Sequence, residues 1–211
     1  WWGAVADGRR DGARVDLPDL PDPLPRTARP VAAAPSAASG GAAPKPSRGL
    51  RAPTSAERGA WGVRPKRKWS YLVIHHSGTD TGSAASFHRS HKERGWDGLG
   101  YHFVIGNGRG TSDGQIEVGY RWREQRVGAH AGNRTMNDHG IGICLVGNFE
   151  KRSVSAKQLA SFTALVDWLR TGAPLGIRPT FTVHRWVDRN HTVCPGKYFP
   201  YTAMKQRYGL A

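Results

Sequence analysis

From Leu17 to Ala52 the chain reads LPDLPDPLPRTARPVAAAPSAASGGAAPKPSRGLRA, without the 3.6-residue or two-residue spacing of apolar positions that a helix or a strand needs. Proline removes backbone donors, and Ala, Gly and Ser offer little apolar surface to bury, so the tract cannot offset the entropy of being ordered. Residues 1–53 therefore read as a basic Pro/Ala/Gly-rich arm or linker, and any core must be built from 54–211, enough for one ordinary domain. A spacer is the simpler role for the arm; a basic tether to an anionic surface is the alternative.

The formal charge of +15 fits a polyanionic partner, whether nucleic acid, an anionic membrane surface or an anionic wall polymer. No run approaches the roughly 18 apolar residues of a membrane span, so no transmembrane segment is expected. The chain also lacks the aromatic and basic pattern of a nucleic-acid reading module, which argues against a specific nucleic-acid partner. It opens on Trp1, so the expectation is that the gene product starts further upstream, with room for a removed signal.

Beyond the arm, Thr54-Ser55-Ala56-Glu57 has the form of a capping box, and a short helix docked through Trp61 is expected after it. The cluster Arg64-Pro65-Lys66-Arg67-Lys68 reads as a solvated entry to the domain. Trp69 to His75 is aromatic and β-branched without alternation, the pattern of a strand covered on both faces. Ser83 to Arg94 predicts a helix with Phe87 and His91 on one side, stopped by Gly95. Strands are expected over Gly100 to Ile105, Gln115 to Tyr120, Ile141 to Val146 and Thr180 to His184, with Asn107-Gly108 and Asp113-Gly114 turning the first two into a hairpin. Ser155 to Arg170 predicts a long helix with Leu159, Phe162, Leu165, Val166 and Leu169 facing inward, and Phe199 to Tyr208 a last one. The fold class is α/β, a mixed central β-sheet flanked by helices.

Three separated groups have chemical potential: His75 closing the first strand, His184 closing a late strand, and Cys194 in the loop beyond it. Each has an ordinary explanation as a hydrogen-bonded core or surface residue, because the short local spacings of strong zinc signatures are absent. The other cysteine, Cys144, lies in an apolar run where a small buried thiol is common, whereas Cys194 sits among turn-forming residues. A disulfide between the two is the simple alternative.

The segments VIHHSGT, GWDGLGYHFVIG, VGAHAGNRTMNDHGIGICLVG and VHRWVDRNHTVCPG resemble, in order and spacing, those of the type 2 N-acetylmuramoyl-L-alanine amidases, a family that includes phage lysozyme-type amidases and animal peptidoglycan recognition proteins. The resemblance runs from about Trp61 to Tyr201 and leaves the arm outside. It implies one zinc ion on His75, His184 and Cys194, with the fourth tetrahedral position open as in catalytic sites, and with His76 as a neighbour on the substrate side and the replacement ligand should His75 not serve. A cysteine ionised by zinc is not available to Cys144 for a disulfide. Tyr101 resembles the family's catalytic tyrosine, and Thr192 falls where the animal members carry a threonine. The interval from His184 to Cys194 is longer than usual in the family and adds His191 beside Thr192. The resemblance further implies that His130 and Asn137 contact a muropeptide, and Trp96 and Trp122 are candidates for lining the groove, docking into the core being the plainer role for a tryptophan. It implies hydrolysis of the amide between the lactyl group of N-acetylmuramic acid and L-Ala, peptidoglycan or its muropeptides as partner, a monomer, and a location in the cell envelope, periplasmic or secreted. The alternative is a peptidoglycan-binding module without catalysis.

Overall fold

A computed structural model describes residues 59, 61–62, 64–172, 175–188 and 190–209. The arm over 1–53 and the capping box at Thr54 lie outside these. Five strands form one sheet in the order β3-β2-β4-β1-β5: β1 (Tyr71–His76), β2 (Phe103–Ile105), β3 (Ile116–Val118), β4 (Gly140–Leu145) and β5 (Thr180–Val183). The pairs β1–β4, β1–β5 and β2–β4 are parallel, and only the β2–β3 hairpin is antiparallel. The mixed sheet expected from the sequence is thus present, with helices α1 (Ala84–Glu93), α2 (Tyr120–Arg123), α3 (Arg134–His139), α4 (Ala156–Asp167), α5 (His184–Val187) and α6 (Tyr201–Tyr208) around it.

Burial explains the runs that lacked alternation. β1 and β4 are central, and every residue of β4 is buried, so both faces demand small or apolar side chains. One face carries Leu72, Ile74, Phe103, Ile105, Ile141 and Ile143 against Phe162, Leu165 and Val166 of α4. The other carries Val104 and Cys144 against Leu99, Phe87 and Tyr101. Since side chains alternate along a strand, His75 falls on the Cys144 side, where the two residues are register partners, while His76 turns towards Phe149, a residue of the α4-side core.

Ser83 caps α1 reciprocally with Ser86, and Ser155 caps α4 by accepting from the Gln158 N–H. The long helix ends as an α-helix at Asp167 and continues as a π-helical turn over Trp168–Gly172. The strand expected from Gly100 is shorter: His102 still donates to the carbonyl of Gly142 in β4 at 2.9 Å, but the Gly100 carbonyl accepts instead from Ala129, outside the sheet, at 3.0 Å. A Cβ on Gly100 would sit 2.1 Å from the Ala129 oxygen, so this close approach admits only glycine. Trp61 is buried as expected, its carbonyl accepting from the Trp122 indole at 2.6 Å. Trp122 is itself fully buried in the core, which removes it from any groove. The basic entry segment is partly tied down, Arg67 lying over the Trp69 ring and donating to the Gln125 carbonyl. Among the described residues no helix is long and apolar enough to cross a membrane.

Candidate metal and catalytic site

The ends of parallel strands pointing the same way concentrate polar chemistry at one sheet edge, and that is where the three separated groups meet. His75 comes from the end of β1, His184 opens α5 directly after β5, and Cys194 arrives on the loop beyond. One ligand atom from each lies within 4.8 Å of the others, and all three residues are buried. The Cys194 Sγ is 3.8 Å from His75 Nδ1, and the His75 and His184 rings are 4.4 Å apart. Both cysteines are free thiols, so the disulfide alternative is not what the fold builds.

The histidines are backed differently. His184 Nε2 meets Asp188 Oδ2 at 2.5 Å, an i,i+4 contact across α5, and the Asp188 side chain is only 3% exposed. Asp188 also accepts from the backbone N–H of Gly132 and of Asn190, and the His184 hydrogen bond, first among these contacts, holds its carboxyl far below the usual range. His75 Nε2 instead lies 3.2 Å from Nδ1 of His130, whose own Nε2 is 3.2 Å from the Gly140 carbonyl. Burial keeps His75 well below its ordinary pKa, helped by His184, His130 and His76, and brings His130 down to about 3, so both rings are neutral at neutral pH.

Burial also pushes the Cys194 thiol up to about 12, although the His76 backbone N–H, 3.3 Å from Sγ, pulls the other way. With no cation beside it the group stays protonated at neutral pH; a metal ion reverses that preference. Two imidazoles and one thiol converging in a buried cluster match the donor set that can hold a zinc ion with one position open.

Tyr101 borders this cluster, its ring centroid 5.2 Å from that of His75. Part of the residue is exposed, yet its hydroxyl is enclosed, and burial, then the neighbouring Cys144 and Cys194, raises its pKa well above 10. The hydroxyl is therefore a proton donor at neutral pH. Half-buried Thr192 sits two residues before Cys194 and accepts from the Cys194 backbone N–H at 3.1 Å, leaving its own hydroxyl proton to give. His191 beside it is exposed, with φ at +50°.

The remaining candidates occupy different positions. Trp96 is half-buried with its ring 4.7 Å from His91, which in turn is 5.9 Å from Tyr101, so it stands on the tyrosine side of the cluster. His76 faces away from the other two histidines: its Nδ1 accepts from the Phe149 N–H at 3.1 Å, and burial lowers its pKa to about 4. His130 and Asn137 are buried behind His75, the Asn137 side chain accepting from the N–H of His130 and of Ala131 and donating to the Ala131 carbonyl. Sequence reasoning passed over Asp188; its signal was the four-residue spacing from His184, hidden because α5 is a single turn.

Comparison with known proteins gives a consistent result. The family model described as N-acetylmuramoyl-L-alanine amidase matches residues 65–197, which include all three converging side chains. The endolysin of Escherichia phage T7 is 33% identical over 119 residues, covering 49% of this chain and 73% of that protein. Peptidoglycan recognition protein 1 of Bos taurus is 32% identical over 156 residues, 66% of this chain and 76% of its own length. Among solved structures, the endolysin N-acetylmuramoyl-L-alanine amidase LysCS from Clostridium intestinale superposes with a TM-score of 0.57 at 31% identity, covering 68% of this chain and 86% of that one. With the family model spanning more than half of the residues, this chain belongs to the type 2 N-acetylmuramoyl-L-alanine amidase family, whose members include endolysins and peptidoglycan recognition proteins.

Proposed function

We propose that this protein is a zinc-dependent N-acetylmuramoyl-L-alanine amidase, which cuts the amide between the lactyl group of N-acetylmuramic acid and the L-Ala of a peptidoglycan stem peptide. The observation that carries the reading is the convergence of His75, His184 and Cys194 within 4.8 Å, in a chain that belongs to the N-acetylmuramoyl-L-alanine amidase family. A zinc ion held by these three residues supplies Lewis acidity and lowers the pKa of a water ligand towards 7, the requirement for attacking an unactivated amide at neutral pH.

The chain's own residues do the rest. His75, kept neutral by burial, and His184 would offer ring nitrogens to that ion, and Cys194 would offer its sulfur as the thiolate. Tyr101, protonated and beside the cluster, donates a hydrogen bond to the carbonyl oxygen as negative charge develops on it, the kind of contact worth about 100- to 1,000-fold in rate. Thr192, whose hydroxyl oxygen accepts from the Cys194 N–H and keeps its proton to give, supplies a second such bond in this reading. Trp96, packed on His91, which in turn neighbours Tyr101, offers an aromatic wall for the sugar or the peptide, and the backbone around His130 and Asn137 supports the groove floor. The protein acts as a monomer in the cell envelope or outside the cell, where its basic surface favours anionic wall polymers. A binding module without catalysis needs no such donor set, so the retained, enclosed Cys194 favours the enzyme.

The test is to digest purified peptidoglycan with zinc-loaded protein and to analyse the soluble products. Release of free peptides beginning with L-Ala, with glycan chains left intact, is the expected result. Stoichiometric zinc with peptidoglycan bound but no peptide released would instead establish the binding module.

A further inference from the structure

The proton arrangement behind His75 can be deduced from the one partner in the chain that has no choice. The Gly140 carbonyl only accepts, so His130 Nε2, 3.2 Å away, carries the hydrogen. An imidazole with one proton then has a bare Nδ1, and that atom faces His75 Nε2 at 3.2 Å. His75 must donate there, which leaves its Nδ1 without a hydrogen on the side where Cys194 Sγ stands at 3.8 Å.

We infer that His130 is a positioning residue of the metal site, which accepts the Nε2 proton of His75 and so keeps the His75 Nδ1 lone pair turned towards His184 and Cys194. The inference rests on the zinc reading above for its purpose, though not for its geometry. His184 reaches the same end through Asp188, so the two ligands are oriented by chemically different partners: a carboxylate behind one, a neutral imidazole relayed to a backbone carbonyl behind the other. The imidazole adds no second negative charge behind the ligands.

The fold is built around this ring. A Cβ on Gly142 of β4 or on Gly128 would lie 2.4 Å from His130 Cδ2, so the slot that holds the imidazole exists because both positions are glycine. Asn137 fixes the backbone on which the ring is mounted, taking the N–H of His130 at 2.8 Å and of Ala131 at 3.1 Å. His130 is 4% exposed, which suits an internal strut better than a substrate contact.

The experiment uses the full chain as wild type, His130→Leu and His130→Asn, in metal-free form with 15N-labelled histidine. Long-range proton–nitrogen correlation spectra read the His75 tautomer, and competition against a fluorescent chelator reads the zinc Kd. Wild-type His75 is expected to be protonated at Nε2. His130→Leu should move proton to Nδ1 and weaken zinc binding about 10- to 100-fold, the usual effect of removing such a partner. His130→Asn, whose side-chain oxygen can stand in for Nδ1, should stay within a few-fold of wild type. Wild-type His75 protonated at Nδ1, His130→Leu binding zinc as tightly as wild type, or a folded His130→Asn binding as weakly as the leucine variant would each overturn the assignment. Should the leucine variant fail to fold, the wild-type spectrum and the asparagine Kd decide the matter. A wild-type protein that binds no zinc would end the amidase reading, while the His75 tautomer would still report on His130.

Discussion

At the scale of residues, the proposed function assigns metal binding and action on substrate to different side chains of the site. Tyr101→Phe removes one hydroxyl next to His75 and no ligand atom, so zinc content should be unchanged while turnover falls by about 100-fold or more; steady-state kinetics with metal analysis checks this. Cys194 differs, because burial, with the Asp188 carboxylate adding to it, holds its thiol up at about 12, and a metal ligated by the sulfur would have to displace that proton. Zinc uptake by the metal-free protein near pH 7 should therefore release about one proton per ion, measurable in weak buffer, and affinity should rise with pH. Zinc binding without proton release would show that the sulfur is not a ligand.

Among the elements, the parallel strands were readable because burial on both faces writes a continuous apolar run, as in Ile141 to Leu145, and the capped helices because Ser83 and Ser155 precede clear apolar spacing. The single-turn helices α2 and α5 were not readable, since four residues cannot display a 3.6-residue period. That concealment hid Asp188. The three converging side chains were individually unremarkable and gained meaning only from resemblance, because sheet topology, which sequence periodicity does not encode, brings β1 beside β5. His130 and Asn137 stand out in the sequence as a motif, but only packing shows that they sit behind His75. Two stability predictions belong here. Phe162→Ala empties space between α4 and the sheet and should cost about 3–5 kcal/mol in urea unfolding. Gly100→Ala drives a methyl group to 2.1 Å from a backbone oxygen, which a flexible side chain cannot relieve, and should lower Tm clearly; an unchanged Tm would mean that the 100–129 contact is not held in solution.

For the molecule as a whole, the interior carries several histidines that burial keeps neutral. His76 and His91 are lowered to about 4, and His102 lies well below its ordinary value because it is enclosed, with Gly142 donating to its Nδ1. Below about pH 6.5 the unfolded chain takes up protons that these folded groups refuse, so their contribution to stability is complete above pH 6.5 and is lost as pH falls towards 4. Urea unfolding of the metal-free protein at pH 7, 6 and 5 should show falling stability, by up to about 1.4 kcal/mol per pH unit for each proton taken up. Stability that is flat across that window would mean the rings are already protonated in the fold.

The central claim is a single ion held by two imidazoles and one sulfur, and X-ray absorption at the zinc edge reads that coordination directly. Protein loaded with one zinc should show one sulfur at about 2.3 Å together with nitrogen or oxygen neighbours at about 2.0–2.1 Å, and the sulfur should vanish in Cys194→Ala. A shell of nitrogen and oxygen alone in the wild type, or a sulfur that survives the substitution, would contradict the account.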